Sequence, residues 1–434
     1  MRTRFNLFTL LVLMLSIENV KAQSTQNGNA ADSIHHPFQI SFMPFLGTDG
    51  MRSRQITYDL SINILAGTVK NVKSCEVGGL LNMVRGNAGA CQLAGIGNLV
   101  GGTTTGFQGA GTFNISQKLQ GIQASGMINV AGQASGIQIA GLVNHATKGK
   151  CIQIGGMVNN TSESTVFQIS GLINNAPVVD GFQAAGWINN ASNGGQFQIA
   201  GLVNNCRDET GFQIAGLANN ASNIRNLQIA GLVNNVKQIN GIQISGLVNY
   251  AQKVKGVQIG FINIADTCPG VPIGVFSFVR NGYHKLEISG DELFYTNLAF
   301  RSGVKKLHSI IMAGIKPDNF GTPLWTYGFG LGSSISISEK TSLDIDAVFQ
   351  NVIKEDHIGN NYLDRLSVGI DRQCWTKTSI YIGAVYNFLI TDTRYSHYSE
   401  NYSSLAPYKL TNNATHGGFN LKTWIGFKVG IRFF

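Results

Sequence analysis

Few residues in this chain have the type and spacing that chemistry needs. Asp344 and Asp346 lie two apart, so they share one face of a candidate strand, and paired carboxyls are what glycoside hydrolysis uses. The same pair also reads as polar residues facing the lumen of a β-barrel. Of the histidines, only His35 and His36 are adjacent, in a polar stretch without metal-ligand spacing. Gly328-Phe329-Gly330-Leu331-Gly332 is glycine-rich, but no helix signal follows it, as a phosphate-cradling loop requires. Cys75, Cys91, Cys151, Cys206, Cys268 and Cys374 are far apart and form no Cys-x-x-Cys. Tyr395, Tyr398, Tyr402 and Tyr408 fall in a Ser- and Asn-rich stretch, 392–417, whose composition suits surface recognition. The expectation is a non-enzymatic protein with no catalytic, metal or cofactor site.

The elements that hold these residues follow from composition. The chain has 434 residues, 53 Gly and only 8 Pro, which excludes collagen. Charged residues are 13%, about half the usual share, and the net charge of +9 is dispersed. No basic cluster is interleaved with aromatics, so a nucleic-acid partner is not expected. Abundant Gly, Asn, Gln, Ile and Val indicate an all-β chain. Residues 1–22 read as a secretory signal: Arg2 and Arg4, an apolar stretch from Phe5 to Ile17, then a small residue at Ala22. Residues 23–36 form a polar amino-terminal segment. Beyond these, no apolar run reaches the roughly 18 residues that a membrane helix needs.

The dominant feature is a repeat. Gln138, Gln153, Gln168, Gln183, Gln198, Gln213, Gln228 and Gln243 recur every 15 residues, and Gln108, Gln123 and Gln258 extend the series. Gln92 and Glu76 continue it at a spacing of 16. With the Phe or Ile before each Gln as position 1, positions 1, 3, 6 and 7 are mostly apolar, 5 is almost always Gly and 8 is Asn. Every charged residue between Phe107 and Ala265 falls at positions 11 to 14. Each unit is thus a strand-like segment and a turn-like segment, and the region spans 37–270, clearest over 107–265.

Two architectures fit. Each unit is one coil of a parallel β-solenoid, with ladders of Gln and Asn, or one strand of a large up-and-down membrane barrel. Three observations favour the solenoid. A meander would alternate two kinds of turn over 30 residues, and none is seen. The repeats contain one Trp (Trp187) and one Tyr (Tyr250), too few for interfacial girdles. Cys75 and Cys91 both precede the ladder position, where stacked coils would place them about 4.8 Å apart, within disulfide range. Against it, an apolar position 7 leaves a stripe on the solenoid surface.

After about Pro269 the composition shifts. All Tyr except Tyr58 and Tyr250, and all Trp except Trp187, lie beyond it. Residues 271–289 read as a hairpin with Asn281-Gly282 as its turn. Longer alternating strands follow, ending with Phe427, Val429, Ile431 and Phe433 on one face and Lys428, Gly430 and Arg432 on the other. Short turns alternate with long polar loops at 353–365 and 391–417, the pattern of an outer-membrane barrel. Residues 271–434 are therefore read as a carboxy-terminal barrel. Whether residues 37–65 belong to the repeats or the barrel is left open.

The signal, the tandem units such as Gly211-Phe212-Gln213-Ile214-Ala215-Gly216 and the barrel-like tail together resemble the surface repeat-containing outer-membrane proteins of Gram-negative bacteria, especially the Bacteroidota type. The terminal Phe434 resembles the signal read by the barrel-assembly machinery. The resemblance implies a surface-exposed outer-membrane location and lipid contact. The expected function is a structural or adhesion protein with a repeat scaffold anchored by the barrel. The alternatives are an outer-membrane pore and a carbohydrate-binding or carbohydrate-active solenoid with a glycan or protein ligand.

Overall fold

The computed structural model describes residues 34–317, 323–354, 361–392, 414–416 and 418–434, with Arg394 and Leu405. Over these the chain builds about 15 coils of parallel β-solenoid, followed by a closed eight-stranded antiparallel barrel. One coil holds a short strand such as Ile122–Ser125, a bend at Gly126 and Met127, and a longer strand such as Ile128–Ala134. Like stacks on like: Gln123 pairs with Gln138 and Asn129 with Asn144 in parallel register. One large membrane barrel is thereby excluded.

The pleat sends alternate side chains inward, and here the inward ones are largely amides. The Gln row at position 2 and the Asn row at position 8 are buried along the array. Gln138 Nε2 donates to Gln123 Oε1 at 3.0 Å, and the link repeats coil by coil. Asn129 Nδ2 donates to Asn144 Oδ1 at 3.1 Å and to the Ile139 carbonyl at 2.6 Å, closing the corner of the next coil. An amide both donates and accepts, so a stacked row satisfies itself in a dry interior. Small and branched apolar residues fill the other edge, as in the cluster of Ile224, Val236, Ile239, Ala251 and Val254.

Glycine at position 5 is required by close approach. The repeat glycines keep negative φ, but a Cβ on Gly216 would collide with the Gly201 carbonyl oxygen of the coil below. Outside, the stripe expected at position 7 is wider than the sequence indicated. Positions 1, 3 and 6 also form partly exposed apolar rows, with Ile214 at 38% and Leu217 at 43% exposure.

The array answers the question left open at its amino-terminal end and departs from the expected boundary at the other. Strand His35–Met43 pairs in parallel with Thr57–Asn63, so the array begins at His35 and takes in residues 37–65. At the other end, the expected hairpin over 271–289 does not form. Val271–Ile273 and Phe276–Val279 stack in parallel on Val257–Ile259 and Ile262–Thr267 as one more coil. The unit there shortens to 14 residues, as in Asn249 over Asn263, which hides the repeat from a fixed spacing while stacking persists. Pro272 sits where Gln would, so the Gln ladder ends at Gln258.

The barrel begins at Tyr283. Its strands are Tyr283–Asp291, Thr296–Val304, Leu307–Lys316, Leu324–Ser338, Thr341–Lys354, Tyr362–Trp375, Thr378–Asp392 and Phe419–Phe433. The first pairs with the last, as in Ile288 with Ile431, and closes the sheet. Ile288, Leu298, Ile311, Trp325, Phe329, Ile382 and Phe427 are exposed on the outer wall. Arg301, Glu287, Asp346 and Arg432 are buried inside. The two faces assigned to the terminal strand from sequence are the outer and inner walls.

Candidate functional site

The paired carboxyls are part of a buried ion network. Arg301 grips Asp346 with Nη1 at 2.8 Å and Nη2 at 2.7 Å, and its Nε donates to Glu287 at 2.9 Å. Arg432 donates to Glu287 at 2.7 Å and to Asp344. Lys428 Nζ lies 2.5 Å from Glu287. Asp344 and Asp346 thus face the lumen as charges neutralised by guanidinium groups, without the open space a hydrolytic pair needs for substrate. An eight-stranded barrel is just wide enough for its side chains to fill, and the ion network fills this lumen around Asp344 and Asp346, with a cavity of about 380 Å³ at the short-turn end between Tyr283, Lys285, Ser336 and Asp371.

The other candidates separate in space. His35 Nε2 lies 3.0 Å from Asp59, while His36 Nδ1 lies 3.0 Å from Asp49, so the two histidines serve different carboxylates. Burial would raise the Asp49 pKa, but hydrogen bonds from Tyr58 and His36 overcome it and hold Asp49 below its usual value. Gly328–Gly332 lies inside a barrel strand. Burial pushes the thiols of Cys151, Cys206 and Cys268 up to about 11, which removes them as nucleophiles at neutral pH. Cys75 and Cys91 are register partners, as stacking requires, and carry free thiols. The ladder glutamines from Gln138 to Gln243 are buried, so they hold coils together and offer no surface. Tyr395, Tyr398, Tyr402 and Tyr408 lie outside the described residues.

Two surfaces escaped the sequence reading. The first is the junction of the array with the barrel. His284, Ser302 and Ser309 point outward like Ile288, Leu298 and Ile311, yet they are polar. The last coil sits on them: the Ser277 N–H donates to Ser309 Oγ at 2.8 Å, and His284 Nε2 donates to the Val279 carbonyl at 2.7 Å. Ser302 Oγ lies 3.2 Å from His284 Nδ1, and Val304 packs against the cluster around Val279. This is the end of the barrel with the short turns at 304–307, 338–341 and 375–378. Polar interruptions in an otherwise apolar outer wall were the available signal.

The second is an outward row of asparagines at position 9. Asn190 Nδ2 donates to Asn175 Oδ1 at 2.8 Å, Asn205 to Asn190 at 2.9 Å and Asn220 to Asn205 at 3.1 Å. These residues are half-buried and line a groove of about 540 Å³ with Ser192 and Arg207. At the head of the row, Asn160 Nδ2 lies 2.9 Å from His145 Nδ1, and burial lowers the His145 pKa, favouring the neutral ring. The doubled Asn-Asn of consecutive units was the signal here. Comparison of the chain with protein-family models, curated proteins and solved structures returned no match.

Proposed function

We propose that the chain is an outer-membrane binding scaffold, in which the barrel is the anchor and the solenoid the working surface. Eight strands of nine residues or more are each long enough to cross a bilayer as tilted β-strands. The apolar outer wall suits lipid contact. The ion-paired lumen suits an anchor better than a pore. Half-exposed apolar rows run along the array, as at Ile199, Ile214 and Leu217, and exposed apolar surface of this kind fits a protein held at a membrane.

The seat of the last coil on His284, Ser302 and Ser309 carries the reading of sidedness. In outer-membrane barrels the short turns face the periplasm and the long loops the outside. An array docked at the short-turn end then lies on the periplasmic side, and the opposite strand ends at Asp392 and Phe419 face outward. This moves the array from the cell surface, where the family resemblance put it. Phe434 lies at the same end, its N–H donating to the Lys377 carbonyl at 2.9 Å.

Fractionation tests the anchor: the chain sediments with outer membranes and resists carbonate extraction. Recovery in the soluble periplasm would sink the proposal. Planar-bilayer recording separates anchor from pore: the reconstituted chain gives no stable channel, and steady unitary conductance would favour transport.

A further inference from the structure

We propose that the outward asparagine row binds a linear β-linked polysaccharide carrying acylamino groups. Six successive coils place Asn at the same outward position: Asn160, Asn175, Asn190, Asn205, Asn220 and Asn235. His145 and Tyr250 flank the tract. Beyond them the same position holds Leu99, Ile115 and Val130 on one side and Ile264 on the other. Folding therefore does not demand asparagine here, unlike the inner Asn row, which runs nearly the whole array. The tract coincides with the groove.

The valences left over define the ligand. A primary amide has two N–H donors and two acceptor sites, and in the ladder from Asn175 to Asn235 the inner rungs Asn190, Asn205 and Asn220 use one of each. Each inner rung thus leaves one donor and one acceptor, rungs lie about 4.8 Å apart, and the six asparagines span about 24 Å. An acetamido group offers the reciprocal pair, one acceptor and one donor. The rung spacing is close to the length of one pyranose along an extended β-linked chain, and because successive sugars face opposite ways, the acetamido groups on one edge of the chain fall on every second coil. Beside the row, half-buried Ile173, Ile188 and Val203 form an apolar shoulder for the ring faces. Among the described residues Arg207 is the one charged residue lining the groove, so a largely neutral polymer fits. The source we assign, the glycan strand of the cell wall, rests on the periplasmic placement above; the chemistry of the groove does not.

The test is calorimetric titration of the full chain in detergent micelles with chitohexaose and with cellohexaose. Chitohexaose binds saturably, and cellohexaose at least about tenfold more weakly, a difference of about 1.4 kcal/mol. The paired substitutions Asn190→Val and Asn205→Val put at these rungs a residue the row already carries at Val130. They weaken chitohexaose binding at least about tenfold and leave the thermal melt unchanged, while Lys255→Ala, on an exposed turn, has no effect. Absence of chitohexaose binding, or unchanged binding by the double variant, overturns the site. Equal binding of cellohexaose overturns the acylamino class. Co-sedimentation with purified wall sacculi is the last arm: chitohexaose binding without sacculus binding upholds the groove and counts against the periplasmic placement.

Discussion

Gln92 and Glu76 meet where the buried amide row changes direction. From Gln258 back to Gln92 each side chain donates to the preceding coil, and Gln92 Nε2 donates to Glu76 Oε2 at 2.8 Å. From the other end, Gln39 Nε2 donates to Ser61 Oγ at 2.8 Å, and Ser61 Oγ to Glu76 Oε1 at 3.1 Å. Asn63 Nδ2 adds a third donor at 3.0 Å. An ionised carboxylate only accepts, so it fits the rung where two donor chains converge. Its complete burial still raises its pKa, against the pull of those three hydrogen bonds.

That burial makes stability depend on pH in a defined direction. The folded pKa is raised above the ordinary value of 4.5. The contribution is therefore fully present below about pH 4.5 and is lost as pH rises through the folded value. Glu76→Gln removes this pH dependence but turns an amide N–H toward the Gln92 donor, so the parent's melting temperature falls relative to the variant's as pH rises from about 4 to 7, whichever melts higher at the start. Far-UV circular dichroism melts across this range check it; a difference between the two that does not change with pH would refute the assignment.

The ladder has an interior and an end, and they differ in cost. Gln213 donates to Gln198 at 2.8 Å and accepts from Gln228 at 2.9 Å. Gln213→Ala strands one buried acceptor and one buried donor, worth about 1–3 kcal/mol each. Gln258 Oε1 has no partner, because Pro272 occupies the next rung. Gln258→Ala therefore breaks one link and costs about half as much. Denaturant titration compares the two variants, and equal losses would contradict a self-satisfying ladder.

In the barrel, Glu287 accepts from Arg301 and Arg432 and faces Lys428. Glu287→Gln leaves buried cations without their shared anion, and removing one partner of such a group costs about 3–5 kcal/mol. The expected result is a lower unfolding temperature for the barrel in micelles, while the array keeps its own melt. An unchanged barrel would mean that the lumen charges are independent of one another.

Thiol chemistry reports the array's interior separately. Cys374 is exposed, whereas Cys151, Cys206 and Cys268 are buried with raised pKa values. Under native conditions maleimide modifies Cys374 well before those three, and peptide mass mapping gives the order. Modification of Cys206 as fast as Cys374 would show that the coils open.

Much of this architecture was readable from residue spacing. The 15-residue Gln period and the confinement of charge to positions 11–14 carry the stacking. The alternation over Phe427–Phe433 carries the barrel wall. Three features were hidden for physical reasons. A coil of 14 residues ending in Pro272 breaks the period without breaking the hydrogen bonds. Period-two alternation names two faces but does not say which is inside, and here amides rather than Ile and Phe take the interior. The junction on His284, Ser302 and Ser309 joins segments far from any shared motif, so only the folded arrangement brings them together. The asparagine row was visible as Asn-Asn pairs, but its outward half separates from its inward half only once the strand's faces are known.

The placement of the array is tested most directly by labelling from outside the cell. Lys255→Cys reports the array and Arg394→Cys the long-loop end, each in a chain whose 6 native cysteines are Ser. A membrane-impermeant maleimide added to intact cells labels the Arg394→Cys chain, and labels the Lys255→Cys chain only after the outer membrane is permeabilised. Labelling of Lys255→Cys in intact cells would put the solenoid on the cell surface and contradict the account.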